Sequence, residues 1–287
     1  MPGRRRVTEE ELFQAGYGRA EYVQRRIVLA ETLAVFERAP SPDHYHRLAA
    51  TNLQRWAEQS DAPELRGAVE VLPGDWGEVT GELTREHGAC FAVLNMANAY
   101  TPGGAYIEGT AAQEENMFRR TDCHFRVDDS ELDHRGDRYR PKMTRLLSAV
   151  DGRVYLDTER PRVCIRGPEE RGQPGLGYEW LAEEDIFPFF ELRAAAQNLR
   201  RTGRFDEANA MARIEAQLDT LIEAGIRYAV LSAFGCGAFR NPPDLVSSFY
   251  RQAIEARREH FALIAFAIFH PGYGPDNYSP FAETFAE

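Results

Sequence analysis

Residues 94–120 read LNMANAYTPGGAYIEGTAAQEENMFRR, and the character of the chain changes twice within them. Up to Asn95 the sequence completes an apolar run over 89–95 that reads as a buried strand. Pro102-Gly103-Gly104 then turns the chain, and 111–120 suits a helix with Gln113, Glu114 and Glu115 in its first turn. Asparagine at a strand end binds a sugar hydroxyl, glycines let the backbone approach a phosphate closely, and a glutamate just past such a loop is placed to donate a proton. The ligand implied is a sugar joined to phosphate, with a bond beside it to break.

On the N-terminal side, 67–72 alternates as a short strand and 75–87 reads as a helix. On the C-terminal side, Ala208, Met211, Ile214, Leu218, Leu221 and Ile222 give an amphipathic helix over 205–225, ending at glycine. A strand over 227–234, a helix over 244–260 begun after Pro242-Pro243, and a buried strand over 262–269 follow. Strand and helix alternate, so the expected fold is a three-layer α/β/α domain with a mixed sheet. Open sheets of this kind bind ligands at the carboxyl ends of their strands. Both 95–105 and the glycine-bearing 235–239 fall there and are expected to face one cleft.

Residues 8–66 carry two further helical patterns, separated by Pro40-Ser41-Pro42-Asp43, with Asp43 available as a cap for the second. They are read as an N-terminal helical extension over 1–66, ahead of a main domain over 67–287. Residues 128–185 are rich in charge, glycine and proline and read as a long surface loop, a plain insertion or a lid, with short strands near 154–156 and 162–165. Tyr178 within it is expected to be an exposed loop residue, a cover for a nucleotide being the weaker alternative.

At 287 residues, 43% of them hydrophobic, the chain is long enough to bury a sizeable core. The net charge of −11 argues against general affinity for DNA or RNA, which requires a basic face. The longest apolar run, 261–269, is too short to cross a bilayer. No export signal is read, so a cytoplasmic monomer with no membrane partner is expected. Cys90, Cys123, Cys164 and Cys236 match no zinc spacing and are expected to be reduced thiols, and Cys123-His124 is read as structural.

The stretch containing Gly103, Gly104 and Ala105, then Gln113, Glu114 and Glu115, resembles the microbial type of poly(ADP-ribose) glycohydrolase (PARG), a branch of the macrodomain superfamily. A second motif, Leu231-Ser-Ala-Phe-Gly235-Cys-Gly237-Ala-Phe239 running on to Asp244, fits the same family. The resemblance is good over 69–98, strong through Arg120, weak from Asp128 to Asp206, and good again from Ile214. The family's loop usually carries three glycines, and here Ala105 stands at the third place. A Cβ there disfavours a positive φ and thickens the face offered to a phosphate.

The resemblance implies hydrolysis at the anomeric carbon of a terminal ADP-ribose, with ADP-ribosylated protein or the polymer as substrate and no cofactor or metal. By resemblance Glu115 is the catalytic acid and Glu114 binds the sugar beyond the scissile bond. Asn98 contacts the terminal ribose, and Asn95 has a neighbouring polar role. Gly103, Gly104, Ala105 and Gln113 form one side of the ligand site, and Gly235, Cys236, Gly237, Ala238 and Phe239 the other. Each residue also has a plainer reading. Acidic residues at a helix start complement the macrodipole, Asn98 suits a turn, Phe239 suits a core, and a bare Gly-x-Gly is commonly a turn. Two activities stand as alternatives to polymer cleavage, namely removal of mono-ADP-ribose from arginine and binding of ADP-ribose without hydrolysis.

Overall fold

A computed structural model describes residues 20–270 and 274–286. The first expected helical pattern, over 9–39, is seen as a helix from Ala20 to Glu37, and 9–19 lie outside the described residues. In chain order the elements are α1 (Ala20–Glu37), α2 (His44–Gln59), β1 (Ala68–Pro73), α3 (Trp76–His87), β2 (Ala92–Met96), α4 (Gln113–Arg120), α5 (Pro141–Leu147), β3 (Tyr155–Cys164), β4 (Phe187–Ala194), α6 (Leu199–Thr202), α7 (Glu207–Glu223), β5 (Tyr228–Leu231), α8 (Pro243–Glu255), β6 (Leu263–Ile268) and α9 (Tyr278–Phe285). The sheet runs β1-β6-β5-β2-β4-β3. Five strands are parallel, and β3 pairs antiparallel to β4 at one edge.

Alternation along the strands divides the core into two layers. Val93, Phe187, Phe189, Val230, Leu263 and Ala265 point one way, onto Leu29 and Leu33 of α1, Trp56 of α2, Trp76 and Val79 of α3, and Met117 and Phe118 of α4. Leu94, Leu192, Leu231, Ile264 and Phe266 point the other way, onto Ile214, Leu218 and Leu221 of α7, Val246 and Tyr250 of α8, and Phe281 of α9. The three-layer arrangement is therefore the expected one. Helices α1 and α2 complete its first face, and the Thr32 hydroxyl of α1 donates to the Arg119 carbonyl at the end of α4 (2.7 Å).

Four expectations are corrected. The short strands near 154–156 and 162–165 belong to one strand, β3, interrupted by a register shift between Asp157 and Arg162. The next strand, β4, lies inside the sheet in a part of the chain given no strand in the sequence reading. Tyr178 is buried at 1% exposure. Its hydroxyl donates to Glu169 (2.7 Å) and accepts from Arg119 Nε (3.0 Å). Asp43 precedes α2 but makes no side-chain cap, its carboxylate being engaged by Arg47 (2.7 Å).

Candidate active site

Strand β2 ends at Met96, and the start of α4 is joined to it by one side chain. Gln113 accepts from the Met96 N–H (2.9 Å) and donates to the Leu94 carbonyl (2.7 Å), so its amide takes the place of a neighbouring strand. Both ends of the Gln113 amide are thus committed to positioning the helix.

Between strand and helix the chain makes two turns. Asn98 Oδ1 accepts from the N–H groups of Tyr100 (2.9 Å) and Thr101 (3.1 Å), which is the side-chain-closed turn that asparagine favours. Gly103 (φ +72°) and Gly104 (φ +59°) then take left-handed conformations. A Cβ on Gly104 would overlap Glu115 Oε1 and stand 3.1 Å from Glu114 Oε2. Glycine is needed there for both its dihedral and its bare surface. Ala105 is outside the left-handed region, so its Cβ imposes no backbone strain.

The loop N–H groups turn inward, onto the two glutamates. Glu114 accepts from the Asn98 N–H (2.7 Å) on one oxygen and from the Gly103 N–H (3.0 Å) on the other. Glu115 Oε1 accepts from the Ala105 N–H (3.0 Å), while the Gly104 N–H donates to the Thr101 carbonyl (3.0 Å). The Thr110 hydroxyl lies 3.5 Å from the same Glu115 oxygen and donates at 2.7 Å to the Ala105 carbonyl. Glu115 Oε2 has no hydrogen-bond partner among the described residues, whereas both oxygens of Glu114 do.

Glu114 is 3% exposed and Glu115 9%. Burial, together with the charge of Glu115 beside it, pushes the Glu114 carboxyl well above the ordinary carboxylate range, against the pull of its two backbone donors. One glutamate is thus enclosed by the loop, and its neighbour presents a free oxygen.

Asn95 lies beneath this layer. It is fully buried and donates to Glu191 Oε1 (2.8 Å). Burial works against ionisation of Glu191, but Arg193 and Arg162 outweigh it and hold the carboxyl below its usual value. The contacts are 2.9 Å from Arg193 and 2.8 Å from Arg162. The side chain of Asn95 therefore supports the floor of the site.

The second loop leaves β5, the strand next to β2 and parallel to it, so both loops emerge at the carboxyl end of the sheet. Gly235 has φ +76°, and a Cβ there would meet Ala196 at 2.5 Å. The Asn241 amide donates to the carbonyls of Gln197 (2.7 Å) and Gly235 (3.0 Å), fixing the loop against the segment after β4. Cys236 is buried, and that burial pushes its thiol up. Gly237 and Ala238 are exposed and Phe239 is half-buried. The N–H groups of these three residues have no partner among the described residues, so this loop carries the backbone donors open to an anion.

Among the described residues no group of three or more His, Cys, Asp or Glu side chains is placed to hold a metal ion, and no helix is long and apolar enough to cross a membrane. Sequence reading missed Thr110 and the buried Glu191, Arg162 and Arg193. A threonine ahead of a helix was the one available signal.

The chain is similar to known proteins in part of its sequence and in its fold. The family model "Microbial-type PARG, catalytic domain" matches residues 21–143. No curated protein matches. The poly(ADP-ribose) glycohydrolase of Thermomonospora curvata is 24% identical, covers 91% of this chain and 99% of its own, and superposes with a TM-score of 0.62. The same enzyme bound to the inhibitor ADP-HPD gives 0.60 at 24% identity, with the same coverage of both chains. That of Deinococcus radiodurans in complex with ADP-ribose is 21% identical over 88% of this chain and 96% of its own, with a TM-score of 0.53. At these identities the solved structures establish a shared fold.

Proposed function

We propose that this chain, which carries the microbial-type poly(ADP-ribose) glycohydrolase signature over residues 21–143, is an ADP-ribosyl glycohydrolase with Glu115 as its catalytic acid. The observation that carries this reading is the asymmetry of the glutamate pair. Glu114 is bonded on both oxygens by the loop, and Glu115 is held by one oxygen with the other free. A proton donor needs that combination of fixed position and one available oxygen.

In the reaction, Asn98 orients the terminal ribose so that the bond from its anomeric carbon lies beside Glu115 Oε2. The N–H groups of Gly237, Ala238 and Phe239 receive the diphosphate. Glu115 protonates the departing oxygen as the bond lengthens, and the oxocarbenium ion that develops is stabilised by the diphosphate held next to it. A water molecule then adds to the anomeric carbon, giving free ADP-ribose and returning a proton to the site. Glu114, with both oxygens bound by the loop, keeps the glycine turn closed around its neighbour.

The leaving group is the sugar hydroxyl of the preceding unit in the polymer. The second reading, removal of mono-ADP-ribose from arginine, draws support from Ala105 and from the divergent 128–206 segment. Chromatographic detection of ADP-ribose released from matched poly-ADP-ribosylated and arginine-mono-ADP-ribosylated proteins decides between them. Release from the polymer is expected. Release from arginine alone would replace the polymer as substrate, and release from neither, with ADP-ribose still bound, would leave a binding module.

A further inference from the structure

Beside the Asn98 turn lies a cavity of about 320 Å³ lined by Asn98, Tyr100, Thr101, Arg138 and Arg201. Its two arginines come from the part of the chain where the family resemblance is weakest, yet both are tied to the loops of the site. The Tyr139 N–H, next to Arg138, donates to the Tyr100 carbonyl (2.8 Å). The Leu199 N–H, at the start of the short helix that holds Arg201, donates to the Phe239 carbonyl (3.1 Å). The Arg201 guanidinium sits 5.7 Å from the centre of the Tyr100 ring. The first loop, the second loop and the divergent segment therefore converge on one concavity.

The charges there stand apart from their surroundings. The chain has a net charge of −11, and arginines elsewhere, such as Arg25, Arg162 and Arg193, have carboxylate partners. Neither Arg138 nor Arg201 has an acidic side chain within ion-pair distance among the described residues. Solvated surface arginines are ordinary in themselves. Two of them facing a cavity with the proposed ribose-binding asparagine on its wall form a site for an anion attached to that ribose.

The first loop offers a phosphate no backbone donor at its glycine turn. Its N–H groups at Gly103, Gly104 and Ala105 are all committed to Glu114, Thr101 and Glu115. A diphosphate carries two negative charges, and the open backbone donors of the second loop are neutral. Guanidinium groups supply the missing positive charge in a planar fork that fits phosphate oxygens.

We infer that Arg138 and Arg201 bind the phosphates of an ADP-ribosyl group, with Tyr100 as the wall on which Arg201 rests. This inference rests on the proposed glycohydrolase reading. The phosphates belong either to the terminal unit or to the adjacent unit of a polymer, and the same chemistry serves both.

The test compares wild type, Arg138→Ala, Arg201→Ala and the double variant. It measures kcat and KM for ADP-ribose release from the polymer and from a mono-ADP-ribosylated protein, and the Kd of free ADP-ribose by calorimetry. Both side chains are exposed, so the variants fold. Each substitution is expected to raise KM about ten-fold, with kcat changed far less, as befits a charge-assisted contact made equally in ground and transition states. A rise confined to the polymer assigns the phosphates to the adjacent unit. A rise on both substrates, with weakened ADP-ribose binding, assigns them to the terminal unit. Unchanged KM and Kd in the double variant of an active enzyme would overturn the inference. A wild type that neither hydrolyses these substrates nor binds ADP-ribose would instead overturn the glycohydrolase reading, and this one with it.

Discussion

Gly104 sets the distance between the loop and Glu115. Its φ of +59° already disfavours any side chain, and the first atom such a side chain would add overlaps Glu115 Oε1. Gly104→Ala therefore forces either the turn or the Glu115 carboxylate to move. The left-handed conformation alone costs about 1–2 kcal/mol for an L residue, so thermal denaturation is expected to show a lower midpoint. ADP-ribose release is expected to fall more steeply than stability, because the displaced group is the proposed proton donor. A Gly104→Ala protein with wild-type turnover would show that the loop does not position Glu115. Ala105, one residue on, is exempt from this constraint because its backbone lies outside the left-handed region.

The joint between α1, α4 and the 168–178 segment depends on a buried polar network. Arg25 of α1 donates to both oxygens of Glu169 (2.9 and 2.7 Å), and Tyr178 connects Glu169 to Arg119 of α4. Burial by itself would raise the Glu169 carboxyl, but the hydrogen bonds from Arg25 and Tyr178 outweigh it and hold it at about 2. An unfolded glutamate titrates near ~4.3. The depressed value therefore contributes stability that is fully present above the unfolded pKa and is lost as pH falls through about 2. Glu169→Gln is expected to lower the melting midpoint at neutral pH and to flatten its decline between pH ~4.3 and 2. Melting curves that stay parallel to wild type across that range would remove this network from the account.

The same elements show what the sequence could and could not disclose. The strands and helices around the two loops were legible because their apolar residues keep a clean period. Strand β4 was not, since Phe187-Pro-Phe-Phe-Glu-Leu-Arg-Ala places Glu191 and Arg193 on an inward face. Charges in that position read as surface until Glu191 is known to sit between Arg193 and Arg162, the latter on a neighbouring strand, with Arg193 paired also to Glu131. Tyr178 was misplaced for a related reason: glycine and proline around it signal a loop, and nothing local shows that Glu169 and Arg119 draw its hydroxyl inside. Gly103, Gly104 and the glutamates were identifiable by type and spacing. The direction of the loop's N–H groups was not, because it depends on how closely two carboxylates approach from the following helix.

At the scale of the whole molecule, parallel strands β2 and β5 bring two distant glycine loops to the carboxyl end of one sheet, with helices packed on both of its faces. The divergent middle of the chain closes in beside them and adds arginines to a cleft in an otherwise acidic protein. The central claim is that this assembly exists to hold Glu115 as an acid against a bound ADP-ribosyl group. It is tested most directly by measuring, on one preparation of Glu115→Gln, both ADP-ribose release from the polymer and the Kd of free ADP-ribose. Turnover is expected to fall by at least ~100-fold, the usual weight of a general acid, with Kd close to wild type. Turnover that survives the substitution would contradict the claim.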